Sequence, residues 1–156
     1  MKQTNLLGPL LVLAVFAIVG CSSKPANVDK PNIIYIMMDE WGYYESSGMG
    51  HPILETPNID KLASEGIRFT QFLAGGNVCA PTRSTIITGQ HTGHTTVRSN
   101  SGGLGLAADD VTIGNVLKEA GYATGGFGKW GLGDVGSTGV PEKHGFDIFF
   151  GYYHQV

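Results

Sequence analysis

Apolar positions along this chain follow two rhythms. Asn32 to Met38 is a nearly continuous apolar and β-branched run, the pattern of a strand buried on both faces as in parallel sheets, and it stops at Asp39-Glu40. Between Thr56 and Gly66 the rhythm becomes helical. Ile59, Leu62 and Ala63 share one face, Thr56 is placed to cap, Pro57 takes the first helical position and Gly66 ends the run. Ile67 to Ala74 reads as a second strand. The loop Gly75-Gly76-Asn77-Val78 then leads to Cys79, and Thr82 to Thr88 predicts a short helix closed by Gly89. Asn100 to Ala108 is glycine-rich and reads as a loop. Ile113, Val116, Leu117 and Ala120 recur at helical spacing with Gly121 as terminator, and Tyr122 to Phe127 reads as a strand ending at Gly128-Lys129-Trp130. The β-α-β alternation predicts an α/β fold with a mostly parallel central sheet flanked by helices. Ligands gather at the carboxyl ends of strands in such sheets. Asp39 and Lys129 each follow a predicted strand directly and Cys79 follows one after a short loop, so all three are expected at one edge.

Composition bounds the picture. With 156 residues, 42% apolar and 15% charged, the chain has material for one modest core. A net charge of −3 with scattered Lys and Arg leaves no basic footprint, which argues against nucleic acid as a partner. The 24 glycines, many in clusters, point to tight loops. Residues 1–20 read as an export signal: Lys2 supplies a positive start, and the apolar run Leu6 to Val19 is too short to span a bilayer. Ile18-Val19-Gly20-Cys21 resembles the lipobox of bacterial lipoproteins. The resemblance implies a lipid on Cys21, a tether over residues 21–30, and, with no Asp after the cysteine, an outer-membrane location facing the periplasm or cell surface. Cys79 is the other of the two cysteines and is left without a disulfide partner in the chain, which calls for a chemical explanation.

Cys79-Ala80-Pro81-Thr82-Arg83 fits the pattern C-x-P-x-R, and it is accompanied by ordered blocks. These are Pro-Asn-Ile-Ile-Tyr-Ile at 31–36, Thr-Pro-Asn-Ile-Asp-Lys-Leu-Ala at 56–63, Gly-Ile-Arg-Phe-Thr at 66–70 and Thr-Gly-Gln at 88–90. Gly-Lys-Trp-Gly-Leu-Gly at 128–133 and Gly-Phe-Asp-Ile-Phe-Phe-Gly at 145–151 complete the set. Together they resemble the formylglycine-dependent sulfatases of the alkaline phosphatase superfamily, with residues 31–156 as the N-terminal part of the catalytic domain. The resemblance implies that Cys79 is oxidised to formylglycine by a maturing enzyme. It implies further that Arg83 and Lys129 contact the sulfate or the formylglycine hydrate, and that Asp39, Glu40 and residue 79 ligate a divalent ion, calcium or magnesium.

The chemistry behind that pattern is plain. A sulfate ester is anionic and repels a nucleophile until positive charge surrounds the sulfur. An aldehyde hydrate offers two hydroxyls on one carbon: one attacks sulfur and expels the alcohol, and deprotonation of the other ejects sulfate and restores the aldehyde. If Cys79 lies at the start of a helix, the free amides there favour an anion, and Arg83, one turn on, would face the same side. Hard carboxylate oxygens suit a calcium-like ion.

Two departures stand out. Many relatives carry Asp-Asp where this chain has Asp39-Glu40, and a histidine where it has Gly131. His94, His144 and His154 are the candidates to replace that histidine, each with a structural or surface role as its alternative; His91 and His94 have a metal-like spacing without partners. Trp41, Tyr43 and Tyr44, in or beside the Gly42–Glu55 loop, are candidate sugar-stacking residues, which core packing explains equally well. The second metal pair of the family falls beyond this stretch of sequence, so weak or no activity is expected of the 156-residue piece by itself. Three functions fit: a sulfatase acting on sulfated glycans or aryl sulfates, a phosphonate monoester or phosphodiester hydrolase of the same superfamily, or a non-catalytic lipoprotein that binds sulfated glycans.

Overall fold

The computed structural model describes residues 30–101 and 103–154. The expected export signal, Cys21 and most of the expected tether lie outside the described residues. The chain divides into two compact units, residues 1–37 and 38–156. The described part of the first, residues 30–37, contains no helix or strand. The second holds helices α1 (Pro57–Glu65), α2 (Cys79–Thr88) and α3 (Ile113–Glu119) and strands β1 (Gly125–Lys129) and β2 (Ile148–Tyr152). β1 and β2 run parallel, with Gly125 opposite Ile148 and Lys129 opposite Tyr152. Among the described residues no helix is long and apolar enough to cross a membrane.

Two expected strands do not form. Residues 32–38 and 67–74 build no ladder, and Ile34, Ile36, Ile67, Phe69 and Leu73 are exposed. A β-branched composition suits a central strand, but a strand exists only when neighbouring backbones take its amides and carbonyls. The strand expected over 122–127 does form, shifted by a few residues to 125–129.

The helices fall close to where the pattern places them, with different local causes. α1 begins at Pro57 as expected, but Thr56 does not cap it. Its hydroxyl instead accepts from the Ser47 amide at 3.0 Å and donates to Asp60 at 3.1 Å, tying the helix start to the preceding turn. α2 starts three residues earlier than the apolar pattern suggests. Pro81 falls in its first turn, where a missing N–H costs nothing, and Gly89 closes it at φ 66°. α3 has a full capping box, Thr112 with Asn115. Its close contact is made by Gly114 and not by the apolar face: a Cβ there would lie 2.5 Å from the His144 carbonyl oxygen.

The core is small and sits beside the start of α2. Ala80, Val97, Leu106, Trp130 and Leu132 are buried, with Phe146, Phe149 and Tyr153 packed against them. The Trp130 ring meets Phe146 edge-on at 5.4 Å and its indole N–H donates to the Gly139 carbonyl at 2.7 Å. Trp130 follows Lys129 directly, so the aromatic anchor sets where the end of β1 lies relative to α2.

Candidate active site

Cys79 occupies the first position of α2, after Val78 in extended conformation. The loop before it is held by Thr82, whose hydroxyl accepts from the Gly76 amide at 3.2 Å and donates to the Gly76 carbonyl at 2.9 Å. Val78 has no polar side chain with which to cap α2. A distant residue does so: Asn100 Oδ1 accepts from the Ala80 amide at 2.9 Å, while Asn100 Nδ2 lies 3.6 Å from Cys79 Sγ, hydrogen-bond range for the large sulfur atom. Cys79 is a free, half-buried thiol.

Arg83 lies one turn further on, buried to 8% exposure. Its Nη1 donates to the Lys129 carbonyl at 2.6 Å and its Nη2 to Asp39 Oδ1 at 3.0 Å. Lys129, at the end of β1, places Nζ 3.3 Å from Asp39 Oδ2 and is near enough to Cys79 for the two to interact electrostatically. Asp39, Cys79, Arg83 and Lys129 therefore do meet at one place, although two of the three strands expected to lead there are absent.

The charges reinforce one another. Partial desolvation pushes the Asp39 carboxyl up, but hydrogen bonds from Arg83 and Lys129, and the charges behind them, outweigh it and hold the group below the usual carboxylate range. Desolvation pulls Lys129 down, yet its bond to Asp39 and the attraction of Cys79 and Asp39 raise it above the ordinary lysine value. Lys129 is consequently a firm cation at neutral pH and not a base.

Glu40 follows at φ 53°, a left-handed conformation uncommon for a residue with a Cβ, and it is exposed. Both Asp39 oxygens face cations, and among the described residues no group of three or more His, Cys, Asp or Glu side chains is close enough to hold a metal ion. A calcium-like ion needs six to eight oxygens. The donors here do not make up such a set.

A groove of about 220 Å³ opens beside Cys79, lined by Ala80, Asn100, Leu104, Gly131, Tyr153 and His154 among others. Of the candidate histidines, His154 alone lines this groove, with Nε2 3.4 Å from Asp134 Oδ1. His144 is buried and bridges two loops through the carbonyls of Asp110 and Thr138, both at 3.1 Å. His91 accepts from the Gly93 amide at 3.0 Å and meets the His94 ring edge-on with centroids 6.4 Å apart. Tyr43 and Tyr44 form an exposed edge-to-face pair at 4.9 Å, which removes core packing as their explanation, but they are not among the groove residues. Asn100 is the residue that sequence reasoning missed. It stands in a glycine-rich loop with no local pattern to mark it, and only the tertiary contact to α2 reveals it.

The described site is thus a thiol at the start of a helix, with a buried guanidinium and an ammonium nearby that share one carboxylate. The sulfatase family model matches residues 31–155, and the chain belongs to that family. It is 39% identical to human arylsulfatase D over 92% of this chain and 26% of that protein, and 42% identical to bovine arylsulfatase A over 83% and 27%. Among solved structures, Ps i-CgsB matches with TM-score 0.66 and 31% identity over 74% of this chain and 26% of that one. A Bacteroides thetaiotaomicron protein from a locus for metabolism of multiple glycosaminoglycans matches with TM-score 0.67 and 36% identity, over 78% and 28%. The chain spans about a quarter of the length of these relatives.

Proposed function

We propose that the protein is a sulfuric ester hydrolase whose nucleophile is formylglycine made from Cys79 by a maturing enzyme. The observation that carries this reading is the placement of Cys79 at the start of α2 beside Lys129, with Arg83 tied to Lys129 through its carbonyl and through Asp39. Formylglycine supplies a hydrated aldehyde, one hydroxyl to attack sulfur and a second whose deprotonation releases sulfate. The site suits such a group, since Asn100 Nδ2 and Lys129 Nζ both offer donors where its oxygens would lie. Lys129 and Arg83 hold the sulfate charge, and Asp39 keeps both cations in place when no substrate is present. A divalent ion belongs to the reading by resemblance, with Asp39 and Glu40 as its ligands from this segment and further oxygen donors required. With Gly131 in place of the family histidine, we assign proton transfer to His154, the candidate histidine that lines the groove.

A glycan substrate is favoured by two relatives: Ps i-CgsB has been solved with k-i-k-neocarrahexaose, and another comes from a glycosaminoglycan locus. We place the protein outside the cytoplasm, lipidated on Cys21. The test is mass spectrometry of the Cys79 peptide from the native host, with assays of the full-length protein on aryl sulfate and aryl phosphonate esters. An aldehyde and preferential sulfate ester cleavage are expected. A free thiol at Cys79 would sink the catalytic reading, and faster phosphonate cleavage would move the protein to the phosphorus-ester hydrolases.

A further inference from the structure

We propose that Asn100 is a positioning residue for the side chain at position 79, presenting to it a hydrogen-bond donor and never an acceptor. The proposal rests on the sulfatase reading and adds to it the group that orients the nucleophile. The amide orientation follows from the geometry. The Ala80 N–H can only donate, so the Asn100 atom 2.9 Å from it is the oxygen, and the atom left facing Cys79 Sγ at 3.6 Å is the NH2 group.

The carboxamide is well anchored for such a task. Its loop begins at Arg98, whose Nε donates to the Thr95 carbonyl at 2.9 Å, and Thr95 is buried against Ser84 of α2 through a short hydroxyl–hydroxyl contact. The loop ends at Leu106, fully buried, with its amide on the Leu132 carbonyl at 2.9 Å. Residue 79 thus has the neutral donor of Asn100 at hydrogen-bond range and the cationic Lys129 close enough to interact with it electrostatically. A donor on a short side chain restricts its rotamer, and a neutral one does so without adding charge that would hold the sulfate product.

Asn100→Asp separates this role from simple helix capping. The carboxylate keeps an acceptor for the Ala80 amide, and an acid at a helix start is favourable, but it turns an acceptor toward residue 79. In the matured full-length enzyme we expect an unchanged thermal midpoint and a loss of about 100-fold in turnover of 4-nitrophenyl sulfate, corrected for formylglycine content by mass spectrometry. A second readout needs no activity. In full-length protein made without the maturing enzyme, the same variant is expected to slow alkylation of the folded Cys79 thiol by iodoacetamide about tenfold, with no difference after denaturation. Unchanged alkylation overturns the proposal, as does slowed alkylation with normal turnover; Asn100 is then only a cap for α2. A matured wild-type enzyme that cleaves neither aryl sulfate nor sulfated glycans refutes the sulfatase reading instead, and the alkylation rates still decide the role of Asn100.

Discussion

Arg83→Met tests whether the charge cluster holds the site together. Methionine fills similar volume in the buried position but forfeits the bonds to Asp39 at 3.0 Å and to the Lys129 carbonyl at 2.6 Å. A charge-assisted hydrogen bond contributes about 1.5–3 kcal/mol. The Asp39 side chain is 46% exposed, so water takes over its freed oxygen and that loss shrinks to about 1 kcal/mol. The Lys129 bond counts nearer its full value. Against both stands Arg83 Nε, buried without a hydrogen-bond partner among the described residues, whose cost of about 1–2 kcal/mol vanishes in the variant. The net expectation is a destabilisation of about 1–2 kcal/mol at pH 7, read by urea denaturation of the full-length protein. The pH dependence carries a second signature. A carboxyl held below its ordinary value stabilises the fold above its unfolded pKa, about 3.9, and that stability is lost as pH falls through the folded value. Without Arg83 the depression is smaller, so the gap between wild type and variant should narrow as pH falls below about 4, leaving the share due to the Lys129 carbonyl. A variant as stable as wild type at pH 7, or a stability gap that stays constant down to acid pH, would refute the reasoning.

Further outcomes follow from the same geometry. Asp147, held down to about 2 by its bonds to Lys118 and Thr124, stabilises the fold above its ordinary value; Asp147→Asn should flatten the loss of stability between pH 4 and pH 2 in acid titrations followed by circular dichroism. Leu132→Ala, at a fully buried core position beside Trp130, should cost about 2–5 kcal/mol by urea denaturation. Lys129 is raised, so its pairing with Asp39 stabilises the fold below its unfolded value and is lost as pH rises through the folded one; Lys129→Met should remove that alkaline loss. His154→Gln should lower kcat/KM on aryl sulfate by at least about tenfold at unchanged melting temperature, and full activity in this variant would assign proton transfer elsewhere.

The amino-acid sequence by itself determined the family, because the C-x-P-x-R segment at Cys79 and the ordered blocks around it are read without coordinates. It also placed the helices within a few residues, since helical spacing, Pro57, Gly89 and Gly121 act locally. The strands expected over 32–38 and 67–74 do not form, for the complementary reason: a strand is completed by neighbours that composition does not name. Only the tertiary structure decided that Asp39 pairs with both Arg83 and Lys129, that His154 lines the groove with Gly131, and that Asn100 reaches Cys79. These contacts join residues tens of positions apart. They are set by how Trp130 and Leu106 pack beside α2, and no local pattern carries that information.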